Sequence, residues 1–421
     1  MIQKETLKEV MIDNRREVEN QSVVTRDYQF EDSANYVLVG VRRAGKSFLL
    51  YQQMQNFLKE GIGWDKMLYI NFEDDRLLDM TVNDLNLILE VHGTMSSERP
   101  ILFLDEIQNI NGWEKFARRL ADWKYRVYIT GSNAKMLSSE VATTLGGRYF
   151  VNHVLPYSFK EYLRAHKVAI NSFAIVSTEG RAAIQRKFTE YFQYGGFPEG
   201  ALLAAKRDYL SSVYQKIYLG DIAARNMITN TFSLRILFRK MAESIKQPMS
   251  FTRLTNIVAS TGTKISKNTI INYMEYSQNA FLIYPMTNIA DNLTGRETNK
   301  KYYFVDNGII TLLSMDADTS LLENMVAIEL LRRYGLDDRV FFYNHNVEVD
   351  FYVPDEGLAI QVSHSPHKSE ETWQRESTAL IKLSKQIECH RLIILSYEEE
   401  MTVDVSGKKI EVIPVWKWLI K

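Results

Sequence analysis

A chain of 421 residues, with 45% hydrophobic and 24% charged residues, is too long for one compact core and has the composition of a folded protein, so two to three domains are expected and extensive disorder is excluded. No apolar run approaches the roughly 18 to 20 residues of a spanning helix and the first twenty residues are charged, so the expectation is a cytoplasmic chain with no membrane partner. The net charge of −1 sets up no global pull toward nucleic acid, and Cys389, the single cysteine, excludes an internal disulfide and a thiolate-rich zinc site.

Residues 35–39 read as a short buried strand that runs straight into Gly40-Val41-Arg42-Arg43-Ala44-Gly45-Lys46-Ser47 and then an apolar helix start at Phe48. This is G-x-x-x-x-G-K-S in its strand–loop–helix setting, and it predicts an ATP site built on 40–48. Glycines at 40 and 45 let successive backbone N–H groups turn toward phosphate, and the following helix adds the positive end of its dipole. Lys46 is expected to reach the β- and γ-phosphates and Ser47 to supply a hydroxyl to Mg²⁺, whereas Arg42 and Arg43 suit packing or solvent better than catalysis.

Residues 67–70 read as a strand ending in Asn71. Ile101-Leu102-Phe103-Leu104 has the unbroken apolar character of a strand buried on both faces, and it ends in Asp105-Glu106. Ligands of open α/β sheets sit beyond the carboxyl ends of the strands, so two acids placed there face the phosphates. Asp105 is expected to hold Mg²⁺ and Glu106 to orient or deprotonate the attacking water. Residues 126–130 form a further strand leading into Gly131-Ser132-Asn133.

Beyond about residue 151 the alternation of strand and helix stops. Helical spacing over 158–164, 181–194 and 208–222, broken at Gly195-Gly196-Phe197-Pro198, predicts a helical lid. Residues 234–259 read as one helix, Thr261-Gly262-Thr263 as a turn, and Ser266 as the cap of a helix from Lys267; 281–286 and 301–305 can pair as a hairpin. That order describes a winged helix-turn-helix in a locally basic stretch. Lys264, Lys267, Asn268, Thr269 and Asn272 suit phosphate and base-edge contacts, so duplex DNA is a candidate partner.

Near the end, 321–330 reads as an amphipathic helix carrying Glu323, followed by strands with Asp350 and with Gln361-Val362-Ser363. A helical glutamate, a strand aspartate and an acid-x-Lys triplet would make the metal site of a restriction-type nuclease. Ser363 cannot replace the lysine charge, so the fold is expected without the activity.

Taken together, GVRRAGKS, NFEDDRL, ILFLDEIQNINGWE, YITGSN, LGGRY, YGGFPE, SKNTI and LLENMVAIEL followed by VEVDFYV resemble a family of prokaryotic AAA-type ATPases whose C-terminal domain of unknown function combines a winged helix with a restriction-endonuclease-like core. The resemblance implies ATP binding through Gly45, Lys46, Ser47, Asp105 and Glu106. It also implies that Asn71 contacts the catalytic glutamate, that Asn133 or Ser132 senses the γ-phosphate, and that Arg148 stabilises charge in a neighbouring subunit's site, which requires a homo-oligomer. Asn71, Ser132 and Asn133 are equally the residue types that end strands. The expected architecture is an α/β P-loop core at 1–155, a helical lid at 156–230, a winged helix at 231–305 and a degenerate nuclease-like α/β domain at 306–421. The expected function is Mg²⁺-dependent ATP hydrolysis that moves the C-terminal domains. A DNA-binding regulator ordered by ATP is the alternative, with an ATP-gated nuclease behind it.

Overall fold

The computed structural model describes residues 2–133, 136, 139–314, 318–336 and 338–421. The chain divides into two compact units, Met1–Leu155 with Asn279–Phe281, and Pro156–Gln278 with Leu282–Lys421.

The first unit is built on five parallel strands, β1 (Asn35–Val39), β2 (Met67–Asn71), β3 (Ile101–Asp105), β4 (Val127–Gly131) and β5 (Tyr149–His153), in the order β2-β3-β4-β1-β5. The apolar runs of β1 to β4 are buried on both faces because helices cover the sheet, while β5, at the edge, leaves Phe150 and Val151 exposed. β4 stands between β1 and β3, so the acid-bearing strand lies two strand spacings, about 10 Å, from the strand that feeds the loop. Register brings Leu38 beside Thr130 and Asn71 beside Asp105, which aligns the carboxyl ends. The charged N-terminal segment, unassigned by pattern, forms a helix, Lys4–Asn20, that buries Leu7, Val10, Met11 and Val18.

The second unit begins with helices Phe159–Ala165, Thr178–Tyr194 and Lys206–Gln215. The last of these continues as a π-helical stretch, Lys216–Ala224, where the pattern reads as uninterrupted helix. Gly195 ends the helix Thr178–Tyr194 and Pro198 opens the next at its first position.

The expected single helix over 234–259 is two helices, Thr231–Glu243 and Phe251–Ala259, separated by β6 (Met249–Ser250). Pro248 lacks the N–H a continuing helix needs, and Ser250 accepts from Arg253 N at 3.2 Å to cap the second helix. Ser266 likewise accepts from Thr269 N at 3.1 Å at the start of Lys267–Asn279. β7 (Ile283–Met286) pairs antiparallel with β8 (Asn299–Phe304), which also pairs with β6.

The final layer is a mixed six-stranded sheet of β9 (Phe341–Asn344), β10 (Glu348–Val353), β11 (Leu358–Val362), β12 (Arg391–Ser396), β13 (Met401–Val405) and β14 (Lys408–Pro414), in the order β13-β14-β12-β11-β10-β9. Helix Glu370–Leu383 packs Ala379, Leu380 and Leu383 against Val349, Ala359, Leu392 and Ile394. Helix Asp318–Tyr334 is not amphipathic over 321–331: every residue there is buried, Glu323, Asn324 and Glu329 included. The polar members are accommodated by partners, as where Asn324 accepts from Phe304 N at 2.8 Å and donates to Phe304 O at 2.9 Å.

Candidate functional site

The loop between β1 and helix Lys46–Lys59 is shaped by two glycines. A Cβ on Gly40 would lie 2.1 Å from the Val154 carbonyl oxygen, and Gly45 adopts φ 91°. No side chain caps the helix, which leaves its first-turn N–H groups for an anion. Behind the loop, buried Arg26 donates to Ala44 O at 2.8 Å and to Leu155 O at 2.7 Å, and Gln52 brackets its backbone on both sides. Arg26 thus fixes the loop from a segment that carries no motif, and nothing local in the sequence marks it.

Lys46 is 4% exposed; its ammonium donates to the Gly40 and Val41 carbonyls, each at 3.2 Å, and stands 3.7 Å from Glu106 Oε1. Val41 and Ala44 are buried in the loop wall. Arg42 pairs with Glu73 at 3.5 Å, Arg43 is exposed with φ 65°, and the Phe48 ring packs 5.2 Å from Tyr51.

Asp105 is fully buried at the end of β3. Tyr69 donates to its Oδ2 at 2.9 Å, Thr130 donates to its Oδ1, and Ser47 hydrogen-bonds it as well. Burial, and then the neighbouring Glu106 charge, push its carboxyl up to about 6 against those hydrogen bonds. The Ser47 hydroxyl and the Asp105 carboxylate therefore present a hard, all-oxygen donor pair that suits Mg²⁺, and a cation there would reverse the upward shift.

Glu106 has φ 51°, unusual for a residue with a side chain. Its N–H donates to Thr130 Oγ1 at 2.9 Å, while its Oε2 accepts from Ser132 Oγ at 3.2 Å and from Gln108. Thr130 consequently holds both acids at once. The available signal was a lone hydroxyl at the end of an otherwise apolar strand; Tyr69 and Gln108 carried none that spacing could expose.

Ser132 thus meets Glu106, and buried Asn133 follows it. Asn71 has its side-chain oxygen accepting from Glu73 N at 2.9 Å, which closes the turn after β2, the strand-ending role that its residue type also offered. Arg148 donates through Nε to Asp122 at 2.5 Å and through Nη1 to Gly146 O at 3.2 Å, so its guanidinium is engaged within its own chain.

In the second unit, Lys264, Lys267, Asn268 and Asn272 are exposed at the start of helix Lys267–Asn279, whose Ile270, Tyr273 and Met274 are buried. Lys301 departs from the basic surface stretch in which the sequence places it: it is fully buried on β8. Glu323, Asp350 and Gln361 converge as their spacing suggests, with Gln361 Oε1 accepting from Asp350 N at 2.8 Å and Lys301 Nζ 3.2 Å from Glu323 and 3.6 Å from Asp350. Ser363 is taken up by the sheet, its N–H donating to Leu395 O at 3.0 Å.

The model of the AAA domain matches residues 32–163, and that of a domain of unknown function, DUF8612, matches 185–348. Among solved structures, the ORC1 protein of Aeropyrum pernix in complex with DNA is similar over 76% of this chain and 94% of that one, at 14% identity and a TM-score of 0.31. The uncharacterized protein MJ1544 of Methanocaldococcus jannaschii is 33% identical over 99% of this chain and 96% of its own length. An uncharacterized protein of Haemophilus influenzae is 33% identical over 93% of this chain and 96% of its own length. The chain therefore belongs to the family that these two relatives represent, and within it is a P-loop protein of the AAA type.

Proposed function

We propose that the chain binds ATP with Mg²⁺ in the loop 40–48 and hydrolyses its γ-phosphate. The observation that carries this reading is the convergence of Lys46, Asp105 and Glu106, from separate chain segments, at one loop mouth, with Thr130 bonded to both acids. Such an arrangement has no structural need of two adjacent acids beside a buried lysine. Phosphate oxygens would take over the Lys46 ammonium from the Gly40 and Val41 carbonyls, and the uncapped N–H groups of the first helical turn would hold the remaining oxygens. Ser47 and Asp105 would hold Mg²⁺, which would supply neutralising charge to the β- and γ-phosphates. Released from Lys46, Glu106 takes a proton from water; the water oxygen bonds to the γ-phosphorus as the bond to the β–γ bridging oxygen breaks, giving ADP and phosphate. Ser132 and Gln108 keep the Glu106 carboxylate aimed.

The order helix, β6, helix, turn, helix, β7, β8, with the sheet ordered β6-β8-β7, supports reading 231–305 as a winged helix, and the exposed Lys264, Lys267, Asn268 and Asn272 support duplex DNA as its ligand. The helix Asp318–Tyr334 followed by β9 to β11, helix Glu370–Leu383 and β12 supports a restriction-endonuclease-like last domain that does not cut. In the alternative, ATP only orders a DNA-binding regulator. Steady-state phosphate release by wild type, Lys46→Ala and Glu106→Gln, each with and without duplex DNA, separates the readings. Turnover lost in both variants supports the ATPase; ATP binding without turnover in any condition overturns it in favour of the regulator.

A further inference from the structure

A lysine with no exposure at all is costly unless its charge is met at close range. Lys301 on β8 meets three carboxylates: its Nζ is 3.2 Å from Glu323 Oε1, 3.2 Å from Glu348 Oε1 and 3.6 Å from Asp350 Oδ1. The ammonium donates a hydrogen bond to Glu323 Oε1 and meets Glu348 and Asp350 as ion pairs, so every one of these contacts is to negative charge. Glu323 comes from a helix, and Glu348 and Asp350 from β10, so the lysine draws elements from three parts of the second unit onto one point.

This is where a restriction-type site would hold a divalent cation, and the residues do not fit one. Glu323 Oε1 also accepts from Tyr303 at 2.9 Å, Asp350 Oδ2 accepts from Val362 N at 2.8 Å, and the Gln361 amide donates to Glu376 Oε2 at 2.7 Å. With its other end on Asp350 N, Gln361 is committed at both ends. Among the described residues no group of three or more His, Cys, Asp or Glu side chains is placed to hold a metal ion. A divalent ion entering the cluster would meet the ammonium at contact distance and be repelled.

We propose that the Lys301 ammonium is the resident cation of this carboxylate centre, standing where a divalent metal would stand, so that the last domain is a binding module whose cation is part of the chain. A pocket of about 760 Å³ opens onto Glu323, Glu348, Asp350 and Gln361 and is also lined by Lys246, Arg375 and Lys382, so the centre is reachable by ions from solvent, and exclusion of metal rests on the lysine rather than on closure.

The test uses the full chain without nucleotide and Mn²⁺ as the probe, a hard cation that accepts carboxylate and carbonyl ligands. Bound Mn²⁺ is counted by electron paramagnetic resonance, and thermal unfolding is followed with and without the ion. Wild type and Asp350→Asn are expected to bind Mn²⁺ alike. Lys301→Met, which keeps the chain length and removes the charge, is expected to gain one site at least tenfold tighter than any in wild type, and a Tm that rises with Mn²⁺. Both gains vanish in Lys301→Met/Asp350→Asn, and Lys301→Arg, which restores a cation, gains neither. Mn²⁺ uptake by wild type that Asp350→Asn abolishes overturns the proposal, as does a folded Lys301→Met that gains no site. Where Lys301→Met does not fold, the wild type against Asp350→Asn comparison decides alone, equal uptake supporting the lysine and unequal uptake the metal.

Discussion

Lys46 Nζ and Glu106 Oε1 stand 3.7 Å apart in a nearly dry setting, the lysine 4% and the glutamate 12% exposed at the side chain. Each therefore occupies the other until a phosphate competes for the ammonium, which links nucleotide entry to release of the carboxylate. The two substitutions should separate. Glu106→Gln keeps nucleotide affinity near wild type and lowers turnover about 10² to 10⁴-fold, the usual worth of a positioned base. Lys46→Ala lowers both, weakening binding by at least about tenfold, or ~1.4 kcal/mol. Titration with a fluorescent ATP analogue beside phosphate release reads the two quantities, and wild-type turnover in Glu106→Gln would remove the glutamate from the chemistry.

Thr130 joins the two acids, donating to Asp105 and accepting from the Glu106 N–H at 2.9 Å. Valine has the same shape and neither bond. Thr130→Val leaves a buried N–H without its partner, so it should cost roughly 1 to 3 kcal/mol of stability in the first unit. It should also slow hydrolysis more than it weakens binding, because Glu106 at φ 51° loses the bond that holds its backbone. Thr130→Ser restores the hydroxyl and should restore most of the rate; a defect in Thr130→Ser with none in Thr130→Val would mean that the threonine methyl, not its hydroxyl, matters there.

The contrast between Asp105 and Thr130 marks where sequence reasoning stops in this site. GVRRAGKS and ILFLDE are legible because the chemistry is local: a turn, a helix start and two acids at a strand end follow from neighbours in the chain. Thr130, Tyr69 and Arg26 act across strand spacings, and pairing β4 between β1 and β3 is a property of topology that no window of residues contains. Asn71 accepts from the Glu73 N–H two residues away, the local turn role that its residue type offers at a strand end as readily as a contact across the site. Lys301 was invisible for a third reason. Alternation assigns it only a face of a strand, and whether that face meets solvent or a carboxylate cluster depends on helix Asp318–Tyr334 and β10 arriving later in the chain.

Asp306 is buried and accepts from the N–H groups of Gly196 at 2.7 Å and Gly308 at 2.8 Å, tying the YGGFPE turn to the segment after β8. Burial pushes its carboxyl from 3.8 up to about 7, against those N–H bonds and the Arg332 charge. The folded state thus holds a proton that the unfolded state releases near 3.8. The stability this contributes is fully present below about pH 4 and is lost as pH rises through 7, a change on the order of 4 kcal/mol across that window. Urea unfolding of the second unit should show wild type losing stability between pH 5 and pH 8 relative to Asp306→Asn, which has no proton to release. Parallel curves for the two proteins would show that Asp306 ionises in the fold without cost.

Lys264 and the start of the helix that opens at Lys267 together offer two ammonium groups, two amides and a hydroxyl on a nearly neutral chain, so any duplex affinity they confer has to come from local rather than global charge. That distinction is measurable through salt. Each lysine–phosphate pairing taken away lowers the slope of log affinity against log salt by about 0.9, so Lys264→Ala/Lys267→Ala should weaken binding to all duplexes alike and flatten the slope by roughly 1 to 2. Asn268→Ala and Asn272→Ala carry no charge to phosphate and should leave the slope unchanged, altering instead the preference among duplex sequences if the amides reach base edges. A double lysine variant with wild-type affinity and slope would place the DNA-binding surface elsewhere and leave this exposed face as a solvated helix end.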